Sequence, residues 1–181
     1  NGANISGSYG KNGAAAIYAE GMNLTIDVTG TNTVTGSGDG FSSGISVRRV
    51  NNGSDVNLTI TGAGTLNANG NQTNGGHGVY VDHCSFTVEQ GAMLNATGGG
   101  GNWGSWSYGV YASDTVVNVY GTLNATSVSY GVYTDDGNVN VAESGNLTAT
   151  GNTRAIYGTV KNAIAGTGWT NVDGTEGEKA I

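Results

Sequence analysis

Three short runs of alternating apolar and polar residues follow one another in the same order along most of the chain. No other feature constrains its fold as strongly. The first run is a small residue, a branched apolar residue and usually a tyrosine: "AIYAE" from Ala16, "GISVR" from Gly44, "GVYVD" from Gly78, "GVYAS" from Gly109, "GVYTD" from Gly131 and "AIYGT" from Ala155. The second is "LTI" from Leu24 and Leu58, "FTV" from Phe86 and "VNV" from Val117 and Val139. The third is "VTG" from Val34, "LNA" from Leu66, Leu94 and Leu123 and "LTA" from Leu147. "NISG" at Asn4 reads as the third run of a truncated earlier unit. Alternation with period two is the strand signature, and the Gly, Asn, Ser and Asp residues between runs are turn formers. No pattern of period 3.6 is long enough for a helix.

One such unit cannot bury its apolar face alone, whereas stacked units can. The expected fold is therefore all-β: a right-handed single-stranded parallel β-helix (β-solenoid) of about six coils of three short strands. It would occupy residues 1–165, with 166–181 as a C-terminal cap or a linker to a following domain and Trp169 as a lid. The absence of proline agrees with continuous strand ladders, since proline cannot donate to them.

Composition removes several function classes. The formal net charge is −7, and only Arg48 and Arg49 are adjacent cations, which argues against a nucleic-acid partner. No apolar run approaches the roughly 20 residues of a membrane span. Cys84 is the single cysteine, so there is no internal disulfide framework.

Within the first run, Val110 and Ala112 share one strand face and Tyr111 the other. An outward tyrosine column follows, Tyr18, Tyr80, Tyr111, Tyr133 and Tyr157, broken at Ser46. It serves as a structural stack or as a sugar-binding platform. The loop "GGGGNWGSWSYG" from Gly98 adds Trp103, Trp106 and Tyr108 on the same side. The expected ligand-binding residues are thus Trp103, Trp106, Tyr108, Tyr80, Tyr111 and Tyr133. Beyond each first run lie two further columns, Glu20, Arg48, Asp82, Ser113, Asp135 and Gly21, Arg49, His83, Asp114, Asp136. Asp114, Asp135 and Asp136 are expected to converge at one corner, either as a solvated acidic turn or as a metal site. No cofactor is fixed by a motif, and calcium is the ion that such oxygens would take. "DHC" at Asp82–Cys84, with His77 nearby, contains metal-ligand types but matches no zinc spacing. Asn and Thr point outward on the other runs, as at Asn95/Thr97 and Asn124/Thr126. Ice binding through such rows is a minor reading, since they mix Asn with Thr and regular T-x-T ranks are not evident.

The recurring "G-[IV]-Y-A … L-T-I … G-T-L-N-A-[NT]-G" resembles right-handed parallel β-helix domains, pectin-lyase-like in shape, of Gram-positive bacterial surface proteins. Related domains bind carbohydrate. The resemblance implies an extracellular or cell-surface location, a polysaccharide or a host or cell-wall glycan as partner, and flanking domains of a larger surface protein. The leading functional expectation is a non-enzymatic surface module binding carbohydrate or mediating adhesion, with no catalytic motif visible. The alternatives are a purely structural spacer and a polysaccharide lyase or hydrolase.

Overall fold

The computed structural model describes residues 3–8, 14–38, 41–51, 53–73, 75–100, 107–164 and 168–172. Alternation dictates the strands. In Cys84–Val88, the buried positions are Cys84, Phe86 and Val88, and the half-buried ones Ser85 and Thr87. Strands are numbered here in chain order.

The first runs form one parallel ladder: β2 (Ala14–Glu20), β5 (Ser42–Arg48), β8 (Val79–Asp82), β11 (Tyr108–Ser113) and the first half of β14 (Tyr130–Val141). Register is strict, with Ile45, Val79, Val110 and Val132 aligned. The second runs form another: β3 (Leu24–Val28), β6 (Val56–Gly62), β9 (Cys84–Val88), β12 (Val116–Val119) and the second half of β14. The third runs form a separate open sheet of six parallel strands: β1 (Asn4–Ser8), β4 (Thr31–Ser37), β7 (Thr65–Asn69), β10 (Met93–Thr97), β13 (Thr122–Ser127) and β15 (Asn146–Gly151). Leu66, Leu94, Leu123 and Leu147 align along it. β16 (Arg154–Ile164) pairs with β14, and β17 (Gly168–Val172) returns antiparallel on β16, placing Trp169 opposite Ala163.

The sheet count corrects the expected β-solenoid of three short-stranded sheets. β14 runs unbroken through Thr134–Gly137, so the first and second ladders are one sheet with the order β2-β5-β8-β11-β14-β12-β9-β6-β3. Its terminal strands β2 and β3 are consecutive in the chain, separated only by 21–23. The nine-strand path is therefore folded back into a near-closed, barrel-like parallel sheet with interleaved connections. The turn letters "TDDG" predict a gap between two strands; the strand instead continues through them, with the left-handed Asp136 as its corner and a shift of register against β16. The resemblance to a pectin-lyase-like solenoid is corrected for the same reason.

The core is one cluster fed by both sheets, with Phe86, Ile45, Leu58, Ile60 and Leu94 among its largest fully buried side chains. The glycine of the first run has a steric cause. A Cβ on Gly109 would lie 2.6 Å from the Gly131 carbonyl oxygen and 2.7 Å from the Thr126 amide nitrogen. Only glycine lets the two sheets approach this closely.

Candidate functional site

The site forms where the first ladder turns into the second. His83 alone separates β8 from β9, and Asp114 and Thr115 separate β11 from β12. His83, Asp114 and Asp136 are the described non-glycine residues with positive φ, at 52°, 44° and 53°. Asp and His tolerate the left-handed region better than most residues, yet such a conformation still costs of order 1–3 kcal/mol. Gly21, at the equivalent turn, has φ 67° without that cost. Backbone bonds stack the corners: the His83 amide donates to the Ser113 carbonyl at 3.0 Å, and the Asp114 amide to the Asp135 carbonyl at 2.8 Å. Thr115 ties two of them together. Its hydroxyl donates to the Ser113 carbonyl at 2.7 Å and accepts from the Cys84 amide at 3.2 Å.

This geometry brings Asp82, His83 and Asp114 together, with their nearest ligand atoms all within 4.8 Å of one another. His83 Nδ1 lies 2.7 Å from Asp82 Oδ1, and His83 Nε2 lies 3.4 Å from Asp114 Oδ2. Asp82 and His83 are half-buried and Asp114 is exposed. A neutral imidazole carries a proton on one nitrogen only. Donation from Nδ1 to Asp82 leaves the Nε2 lone pair facing the Asp114 carboxylate. That gap is unfavourable unless a proton or a metal cation lies in it, and a ring protonated on both nitrogens donates to both carboxylates. The cluster has the donors to hold a metal ion. Asp135 and Asp136 do not join it; Asp136 forms the next corner and Asp135 turns to the neighbouring groove.

Beside the corner lies a slab of stacked rings. Tyr80 and Tyr111 stack at 5.1 Å, Tyr111 and Tyr133 at 5.5 Å, and Tyr133 and Tyr157 at 4.7 Å, all within 7° of parallel. A second column, His77, Tyr108 and Tyr130, packs against the first, with His77 5.0 Å from Tyr108. Phe41, His77, Tyr80, Tyr108, Tyr111, Tyr133 and Asp135 line a shallow groove of about 650 Å³. Tyr80 and Asp82 are two residues apart on one strand and share a face, so groove and cluster are contiguous. Burial pushes the Tyr108 hydroxyl up to about 12, with the neighbouring tyrosines adding to it. Burial also raises Tyr111, and Asp135 raises it further. His77 is pushed down to about 4 by burial. It is therefore neutral at neutral pH, and its buried Nδ1 has no hydrogen-bond partner among the described residues.

Of the residues expected from sequence, Tyr80, Tyr108, Tyr111 and Tyr133 line the groove together, while Trp103 and Trp106 lie outside the described residues. Of the three expected metal ligands, only Asp114 enters the cluster. Its partners Asp82 and His83 were readable as column neighbours, since Asp114 follows His83 in one column and Asp82 precedes His83 in the chain. Tyr130 was missed, and His77 was singled out only as a metal-ligand type near "DHC" and not as a ring of the stack, yet the signal was present: "HGVYVD", "YGVYAS" and "YGVYTD" place a ring before the glycine. Cys84 is not a nucleophile. It is buried, its thiol donates to the carbonyls of Val47 and Asp82, and burial raises it to about 11.

The expectation of a module without a catalytic motif is corrected by the Asp82–His83–Asp114 cluster, and the non-enzymatic adhesion reading falls with it. An imidazole between two carboxylates, on a left-handed corner beside a groove, is a cluster with the groups to hold a metal ion or to exchange a proton. No protein-family model, no curated protein and no solved structure matches the chain. The reading of the site therefore rests on its own geometry.

Proposed function

We propose that the chain is a polysaccharide-cleaving enzyme, with Asp82, His83 and Asp114 as the reactive centre and the aromatic groove as the substrate platform. The observation that carries this is the imidazole fixed between two carboxylates at 2.7 and 3.4 Å. Asp82 holds Nδ1–H and so fixes the tautomer that leaves Nε2 free to exchange a proton with substrate. Asp114 faces that nitrogen and stabilises the imidazolium once it forms. General acid–base work of this kind contributes about 10²–10⁴-fold.

Charge selects among substrates. Asp82, Asp114 and Asp135 face the reacting region, and among the described residues no cation lines the groove. A uronate polymer is repelled there unless a bound cation bridges it, so hydrolysis of an uncharged glycan is favoured over uronate elimination. A metal on Nε2 and Asp114 would supply Lewis-acid polarisation. The imidazole donor suits a borderline transition ion better than calcium, which takes six to eight oxygens and would leave the nitrogen unused. A polysaccharide substrate also fits work outside the cell or at a bacterial surface, with a glycan as the partner.

The test is release of reducing ends from neutral polysaccharides and of unsaturated ends from uronate polymers, each with and without chelator. His83→Asn keeps a residue tolerant of the left-handed corner while removing the base. It is expected to lose 10²–10⁴-fold in rate. Absence of product from every polymer, or a His83→Asn rate equal to the parent's, overturns the reading.

A further inference from the structure

We propose that the open six-stranded sheet is an ice-binding face, a second activity independent of the aromatic groove. Its strands β4, β7, β10, β13 and β15 contain no charged residue at all. The other sheet, by contrast, carries Glu20, Arg48, Asp82 and Lys161 within its strands. Two outward ranks cross the open sheet. One runs from Thr33 through Asn67, Asn95 and Asn124 to Thr148, and each step is an aligned parallel pair. The other lies two residues further along every strand, from Thr35 through Asn69, Thr97 and Thr126 to Thr150, in the same unbroken register. Regular ranks that the mixed Thr and Asn letters conceal are thus complete in space.

The ranks form a two-dimensional lattice. Neighbouring strands lie about 4.8 Å apart, and alternate residues on one strand about 6.6 Å apart. Both repeats are close to oxygen spacings on faces of ice. The lattice is also rigid. Asn124 Nδ2 donates to Asn95 Oδ1 and Asn95 Nδ2 to Asn67 Oδ1, both at 2.8 Å, so the amides of the first rank are fixed by one another. Threonine is stiff at χ1, and Thr126, Thr148 and Thr150 are exposed. Side chains already ordered lose little entropy on docking to a solid. An uncharged, periodic, pre-ordered face complements an uncharged, periodic solid, and neither a disordered polymer nor a charged partner would draw on the periodicity.

The test is thermal hysteresis and inhibition of ice recrystallisation by the full chain. The parent is expected to shape ice crystals and show both effects. Thr97→Lys/Thr126→Lys should abolish them, while Thr87→Lys on β9, in the other sheet, should leave them unchanged. Should the lysine pair fail to fold by circular dichroism, Thr126→Val keeps the side-chain shape and should reduce the hysteresis severalfold. No hysteresis in the parent, equal loss from Thr87→Lys, or adsorption to crystalline cellulose without any effect on ice overturns the proposal. Glycan cleavage at the corner is read in a separate assay, so failure of either leaves the other standing.

Discussion

The corner at Asp82, His83 and Asp114 and the ladder of Leu66, Leu94, Leu123 and Leu147 are built from the same repeat, but they differ in what they tolerate. In the ladder every level repeats its neighbour: Leu faces the core, Ala follows it inward, and a Thr or Asn faces out. At the corner the levels diverge from Gly21 to His83, Asp114 and Asp136, and the backbone holds three non-glycine residues in the left-handed region. Repetition supplies stability where nothing else is required. Departure from repetition carries a conformational cost here, and it coincides with the Asp82–His83–Asp114 cluster.

The largest expected effect breaks the regular side of this contrast. Leu94 is fully buried in the aligned column. Leu94→Ala should destabilise the fold by about 2–5 kcal/mol, read as a shift of the chemical-denaturation midpoint. A loss under 1 kcal/mol would mean that the ladder can collapse around a cavity and is not the rigid frame described here.

His77 comes next and lies on the irregular side. Its folded pKa of about 4 is below its ordinary 6.5, so between those values the unfolded chain binds the proton more readily than the folded one. Stability contributed by the neutral ring is complete above about pH 6.5 and is lost as pH falls toward 4. His77→Phe preserves a ring for stacking and removes the titration. The variant's stability should therefore fall less than the parent's over that window, as measured by denaturation at stepped pH. Parallel pH profiles would show that the ring is not desolvated as the groove geometry implies.

The two regions were unequally legible in the sequence. The strands, their faces and their parallel stacking follow from period two, because every "LNA" and "GVY" must bury the same side. The joining of two ladders through β14 was not legible. "TDDG" has the composition of a loop, yet Thr134 and Asp135 pair with Ala112 and Ser113 of β11, and the strand resumes its pairing at Asn138 after a shift of register against β16. The cluster was half legible. Asp114 stands in one column between His83 and Asp136, and composition favoured the carboxylate neighbours. In space a carboxylate is better served by a group that can carry a proton, and the side chain of Asp114 accordingly meets His83. The rings at His77 and Tyr130 sit one residue outside the five-letter motif and were hidden by its boundary.

The smallest change in stability gives the most direct test. Asp114→Gly relieves a left-handed residue with φ 44° and deletes the carboxylate opposite His83. If the corner is strained for the sake of chemistry, stability rises by about 1 kcal/mol while release of reducing ends collapses. Both are measured on one preparation, by denaturation and by reducing-end assay. A variant that is less stable than the parent, or that cleaves glycan at the parent's rate, contradicts the account: Asp114 would then be a structural corner and no part of a reactive centre.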